Sequence, residues 1–331
     1  MIDLVVVLIA AIASFLVALI GTGLLSRILA DRGILDRPNQ RSSHKQATPR
    51  GGGIAVVAAI LAGFGVLILT GQPLQAGIGT VIAVTIAIAA VSWVDDVRGL
   101  PAFVRLGLQA VCVGVSLYLL PLPVPAIIAD FPGWAQATIM GLAWLWFINL
   151  YNFMDGIDGI TGIETLVITI GISVVLQVGN SGHALIAPAL IIAAAMPGFL
   201  KWNWPPAKIF MGDVGSVALG YLLGWLLLAS TSDGSTLAAI IVSGYYLADA
   251  TMTLIRRALK GEKVWQAHRQ HAYQTALRNG MTHGMVSTCI GILGIALIAL
   301  ALMSLDYPLP AALAAVVIVA AVMHHFMRQR H

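Results

Sequence analysis

The sequence predicts an all-α polytopic membrane protein of about eleven transmembrane helices. Three observations carry that expectation: composition, the recurrence of long apolar segments, and a one-sided distribution of basic residues. Of 331 residues, 59% are hydrophobic and only 10% charged, with a mean hydropathy of +0.92. A soluble domain carries about 25% charged residues. Fourteen acids, 18 Lys and Arg and 8 His cannot cover a water-facing surface of this size. Soluble enzymes, nucleic-acid binders and disordered adaptors are excluded at this step. The net charge of +4 belongs with loops on the cytoplasmic side of a membrane, not with a nucleic-acid partner.

Apolar segments fall at about 3–27, 52–70, 76–94, 103–121, 134–152, 160–178, 184–200, 214–231, 235–255, 285–304 and 308–327. Each is near the ~20 residues that carry a helix across ~30 Å of hydrocarbon. The first opens on Met-Ile-Asp with no basic stretch before it, so it reads as a spanning helix and not a signal peptide. Cys112 and Cys289 lie within apolar runs, where a disulfide is not expected. With the N-terminus outside, the inner connections are 28–51, 95–102, 153–159, 201–213, 256–284 and the tail from 328. All 18 Lys and Arg lie in these or within about three residues of them. The outer connections hold none, but carry Asp3, Asp130, Asp233 and Asp306. The chain is expected to be one integral-membrane domain, 1–331, with its chemistry at the cytoplasmic face.

Five groups of residues carry that chemistry. Asp95 and Asp96 end the third span, and two adjacent carboxylates at a membrane boundary need a cation or an arginine beside them. Asn149, Asn152, Asp155 and Asp158 recur every third residue off the fifth span, interleaved with Gly156 and Gly159. Carboxylates with amide oxygens form a hard donor set of the kind Mg²⁺ accepts. Lys208 and Asp213, in Pro-Ala-Lys-Ile-Phe-Met-Gly-Asp, open the eighth span and suit phosphate and metal. Capping of that helix by Asp213 is an alternative. His268, Arg269 and His271 lack the thiolates of a zinc site and fit phosphate oxygens better. Arg41, His44, Lys45 and Arg50 precede Gly51, Gly52 and Gly53, whose N–H groups at a helix start can receive an anion. A solvated basic loop explains those charges but not the glycines. Asp249 lies inside the ninth span, where an ionisable residue marks a functional cavity. His183, His283, His324 and His325 have no comparable context and read as interfacial or exposed.

These patterns, in this order, resemble the polyprenyl-phosphate N-acetylhexosamine-1-phosphate transferases, a glycosyltransferase 4 family. It includes the enzymes that begin O-antigen and enterobacterial common antigen, and the phospho-MurNAc-pentapeptide translocase. The His-Arg-x-His-x-Tyr-Gln form looks most like the O-antigen branch. The resemblance implies a bundle of ten or eleven spans in the bacterial inner membrane with a cytoplasmic site. It also implies transfer of sugar-1-phosphate from a UDP-N-acetyl sugar to undecaprenyl phosphate, with release of UMP. Mg²⁺ would be the cofactor, with Mn²⁺ able to substitute; a homodimer stays open and no nucleic acid is involved. Carried over residue by residue, Asp213 is the metal ligand and Asn152 a second. Asp95 and Asp96 orient or deprotonate the lipid phosphate. Asp155 and Asp158 line the nucleotide site, and His268, Arg269 and His271 contact diphosphate or sugar. A secondary transporter would hold its polar groups near the midplane, whereas here nearly every carboxylate falls at one interface and only Asp249 lies well within a span.

Overall fold

The computed structural model describes residues 3–38, 43, 46–181, 183–231, 235–264 and 268–328. Arg41, His44, Lys45 and Asp233 lie outside the described residues. Thirteen helices are described: α1 (Leu4–Asp31), α2 (Gly53–Leu69), α3 (Ile78–Arg98), α4 (Ala102–Leu119), α5 (Gly133–Met154), α6 (Ile160–Val178) and α7 (His183–Asn203). They continue with α8 (Asp213–Ala229), α9 (Thr236–Val242), α10 (Gly244–Leu259), α11 (Ala272–Arg278), α12 (His283–Met303) and α13 (Pro308–Met327). A two-residue antiparallel pair, β1 (Leu35–Asp36) with β2 (Thr48–Pro49), closes the loop after α1.

The protein is an all-α polytopic membrane protein. Eight of the described helices, or nine with the bent pair α9–α10, are long and apolar enough to cross a bilayer. At 17 residues each, α2 and α8 are shorter, about 26 Å at 1.5 Å per residue. Every apolar segment of the sequence has a helical counterpart, but one expectation is corrected. The segment 235–255 is not a straight span: it breaks at Ser243 with a 73° bend. The Ser243 hydroxyl donates to Ala239 O at 3.0 Å, and Gly244 follows, a pairing that commonly kinks helices.

The core centres on α8, whose residues from Val214 to Leu226 are all buried. It packs on α5, α3 and α2, with α1 against α7 and α2, and α6 against α7 and α12. Association inside a bilayer depends on close packing, because lipid is as apolar as the side chains. Small residues supply it here. A Cβ at Gly53 would lie 2.2 Å from Gly215 N, and one at Gly224 would lie 2.4 Å from the Trp144 ring. Trp144 stacks on Tyr221 at 5.0 Å and donates to its carbonyl at 3.0 Å. The Tyr221 hydroxyl in turn meets Ser116 Oγ at 2.8 Å, tying α4 to the centre.

Candidate active site

Backbone pairing brings the loop before α2 onto the loop before α8. Phe210 N–H donates to Pro49 O at 2.8 Å, and the N–H groups of Gly51 and Gly52 donate back to Phe210 O at 3.1 and 2.9 Å. Gly53 N–H reaches Met211 O at 2.8 Å. These glycine amides, expected to be open to an anion, are therefore taken by carbonyls. The glycines serve close approach: a Cβ at Gly52 would lie 2.9 Å from the Phe199 ring.

That staple sets Arg50 against Asp213, the first residue of α8. Arg50 Nη2 pairs with Asp213 Oδ1 and lies 3.2 Å from Asp96 Oδ1. Asp95, one residue earlier on α3, accepts from Arg105 Nη1 at 2.8 Å and from Leu100 N–H at 2.7 Å. Arg105 Nη1 also stands 3.6 Å from Asp213 Oδ2. Three carboxylates and two guanidinia thus alternate across α3, α4, α8 and the Arg50 loop. Burial alone would lower the Arg50 guanidinium, but Asp213 and then Asp96 outweigh it and hold it above its ordinary value. Arg105 carries no motif of its own; its place beyond a short Gly-Leu-Pro turn from Asp95 is the one mark of it in the sequence.

The series from Asn149 to Asp158 does not continue as helix. It leaves α5 at Met154, and Asp155 occupies the C-cap with φ −79° and ψ 61°. Asn149 bonds Gln109 Oε1 at 3.0 Å, and Asn152 Oδ1 accepts from Ser216 Oγ at 2.6 Å. Burial pushes the Asp155 carboxyl up to about 6, against the opposing pull of the Thr161 hydroxyl and Arg50. Asp158 faces elsewhere. Its carboxylate accepts from Ala207 N–H at 3.0 Å and lies 3.1 Å from His283 Nδ1, while its carbonyl receives Ser287 Oγ at 2.8 Å. His283, expected to be interfacial or exposed, is instead half-buried and joins that group; its Nε2 is 3.1 Å from Ser43 O. Lys208 is exposed, with its ammonium 5.5 Å above the Trp202 ring.

The segment before α11 docks on the same loop. The rings of His268 and His271 lie 4.8 Å apart, and His271 stacks on Tyr273 at 5.5 Å. Tyr273 Oη donates to Phe153 O at 3.2 Å. A Cβ at Gly156 would meet the Tyr273 hydroxyl oxygen at 2.2 Å, so any larger residue must push that ring aside. Burial, then His271, lowers His268 to about 4, which leaves it a neutral imidazole at pH 7. Arg269 lies between these histidines.

Asp95, Arg105, Asn149, Asn152 and Asp213 line a cavity of about 390 Å³ whose remaining wall includes Leu106, Leu142, Trp146 and Leu254. A charged cluster thus faces an apolar cavity at the ends of membrane helices. Residues 78–231 match the model of glycosyl transferase family 4. The chain is similar to a "probable undecaprenyl-phosphate N-acetylglucosaminyl 1-phosphate transferase" of Bacillus subtilis (strain 168), 29% identical across 87% of this chain and 82% of the relative. An undecaprenyl-phosphate alpha-N-acetylglucosaminyl 1-phosphate transferase of Escherichia coli (strain K12) is 27% identical across 76% of this chain and 71% of its own length. A phospho-N-acetylmuramoyl-pentapeptide-transferase of Saccharopolyspora erythraea is 29% identical across 76% and 82%.

Proposed function

We propose that the protein transfers N-acetylhexosamine-1-phosphate from a UDP-sugar to undecaprenyl phosphate at the cytoplasmic face of the inner membrane and releases UMP. The product would start an O-antigen or related envelope polysaccharide. The observation that carries this reading is the alternating Asp95–Arg105–Asp213–Arg50–Asp96 cluster beside an apolar cavity. Two anionic phosphates must meet in this reaction, so cationic groups are needed against their repulsion. Arg105, steadied by Asp95, is suited to the lipid phosphate, whose tail would occupy the apolar cavity. Arg50 is suited to the diphosphate.

A non-bridging oxygen of the lipid phosphate forms a bond to the sugar-bearing phosphorus. The bond from that phosphorus to the bridging oxygen breaks, and UMP leaves with the electron pair. A phosphomonoester has its second pKa near 6, so the nucleophile is already ionised at pH 7 and needs no dedicated base. Asp95 then orients the acceptor through Arg105.

Asp213 and Asn152 offer the hard oxygens Mg²⁺ takes, provided Arg50 turns from the Asp213 carboxylate toward the diphosphate. Asp213 with Asn152 would hold it through oxygen alone, and among the described residues no three Asp, Glu, His or Cys form a closed cage. Mg²⁺ keeps several waters and takes substrate phosphates rather than a full protein shell. When bound, the ion would offset phosphate charge.

The test is incubation of the reconstituted protein with undecaprenyl phosphate and a panel of radiolabelled UDP-N-acetyl sugars. Label in extracted lipid, UMP release, loss with EDTA and recovery with Mg²⁺ or Mn²⁺ are expected. No lipid label from any sugar nucleotide rejects the reading. Label only from UDP-MurNAc-pentapeptide would assign the peptidoglycan reaction instead.

A further inference from the structure

Asp249 lies within α10 and is fully buried, outside the segment 78–231 that defines the family match. An ionised carboxylate in such a place costs several kcal/mol unless donors surround it. Four hydrogen bonds do so. Oδ1 accepts from Ala272 N–H at 2.8 Å and the Thr253 hydroxyl at 3.2 Å. Oδ2 accepts from Tyr273 N–H at 3.2 Å and the Tyr245 hydroxyl at 3.1 Å. His271 Nδ1 stands 3.5 Å from Oδ1, within ion-pair reach but beyond a formed hydrogen bond.

Two of these donors come from α10 itself, one turn to either side. The other two are the first N–H groups of α11, which have no partner inside their own helix. Negative charge at a helix start is favoured by the peptide dipoles. An apolar anchor could pack α11 against α10, but it could not fix the direction of those N–H bonds. An asparagine could not either, because its NH₂ would face two incoming donors.

The consequence falls on His271. It is the N-cap of α11, closed by Gln274, whose side chain accepts from the His271 N–H at 3.4 Å. Its ring is held between those of His268 and Tyr273. With Nδ1 turned to Asp249, the other ring nitrogen, Nε2, is the one directed away from the carboxylate.

We propose that Asp249 is a positioning residue: from inside the membrane it clamps the start of α11 and orients His271 toward the donor's phosphate or sugar. This rests on the transferase reading given above. Asp249 acts on His271 mainly through the backbone it fixes at Ala272 and Tyr273; by analogy with the partners that hold metal-ligating histidines, its loss should cost about 10–100-fold.

The experiment is a double-mutant cycle on the reconstituted full chain: wild type, Asp249→Asn, His271→Ala and both together. Asp249→Asn is expected to lower kcat/KM for the UDP-sugar about 10–100-fold in the wild-type background, yet no more than about twofold once His271 is alanine. Equal losses in the two backgrounds assign Asp249 a general packing role and overturn the proposal, as does a wild-type rate for Asp249→Asn. If His271→Ala is too slow to follow, the same cycle is read on UDP-sugar binding. Hydrogen exchange gives a second readout. The amides of Ala272 and Tyr273 should lose protection in Asp249→Asn while α12 keeps its own, and unchanged protection there overturns the clamp. Asp249→Glu, which keeps the charge, should regain part of the rate. A wild-type protein that turns over no UDP-sugar would instead remove the functional reading, leaving the exchange result to judge the clamp.

Discussion

Arg105 and Asp213 come from helices far apart in the chain, yet the guanidinium touches the Asp95 carboxylate and stands 3.6 Å from Asp213. Replacing Arg105 with alanine should leave the protein in the membrane and cut transfer about 10²–10³-fold, the size of loss seen when one charge-stabilising donor is removed. Arg105→Lys keeps the charge but not the planar fork, so it should recover only part of that rate. Asp213→Asn should abolish transfer with insertion intact; activity near wild type would remove the metal assignment. Asp155 contributes to the acid side of the pH profile together with the acceptor phosphate, whose second pKa is also near 6. The Asp155 carboxyl, pushed to about 6 by burial, is charged above that pH and neutral below, so activity that needs the anion falls as pH drops through about 6. Thr161→Val removes a hydroxyl that stabilises the anion. The acid limb of log kcat against pH should then move upward. At this scale residue type alone pointed to Asp95, Asp96 and Asp213, which the structure gathers into one cluster, but not to the separate place of Asp158. Nor did it point to Arg105 or His283, whose partners are set by folding and not by a nearby motif.

Helices and loops show a different division between what periodicity reveals and what it hides. Apolar length located every long helix, because ~20 residues of hydrocarbon-soluble side chain have few other uses, but of the eleven segments only eight, or nine with the bent pair, are long and apolar enough to cross. It could not show the break at Ser243, since a bent pair has the same composition as a straight helix. Nor could it show α11, seven residues long within a polar connection. Glycine N–H groups at a helix start commonly bind anions, which is what the Gly51–Gly53 triplet suggests, but here the Phe210 and Met211 carbonyls take them. Gly53→Ala would drive a Cβ into the backbone of Gly215 at 2.2 Å. Neither backbone can yield, so α2 and α8 should separate, with a loss of about 1–3 kcal/mol or more read as a lower melting temperature in detergent. Gly156→Ala meets a side chain instead, the Tyr273 hydroxyl, and should disturb activity more than stability. Combining it with Tyr273→Phe relaxes the nearest approach from 2.2 to 3.1 Å. The double variant should therefore be more active than Gly156→Ala alone.

For the molecule as a whole, the basic residues give a sidedness that single-cysteine labelling can check. A cysteine at Lys260 should resist an impermeant maleimide in intact cells, and one at Gln75 should react; the reverse pattern would turn the proposed active face outward. The bend between α9 and α10 has a further effect. It leaves Leu254 of α10 and Leu106 of α4 on the wall of the same cavity as Asp213, while much of α4 faces outward. A polyprenyl chain entering between them need never pass through water. Its encounter rate would then be governed by crowding in two dimensions. Diluting the acceptor with inert detergent, at unchanged bulk amounts of every reactant, should slow turnover in step with its falling share of the micelle.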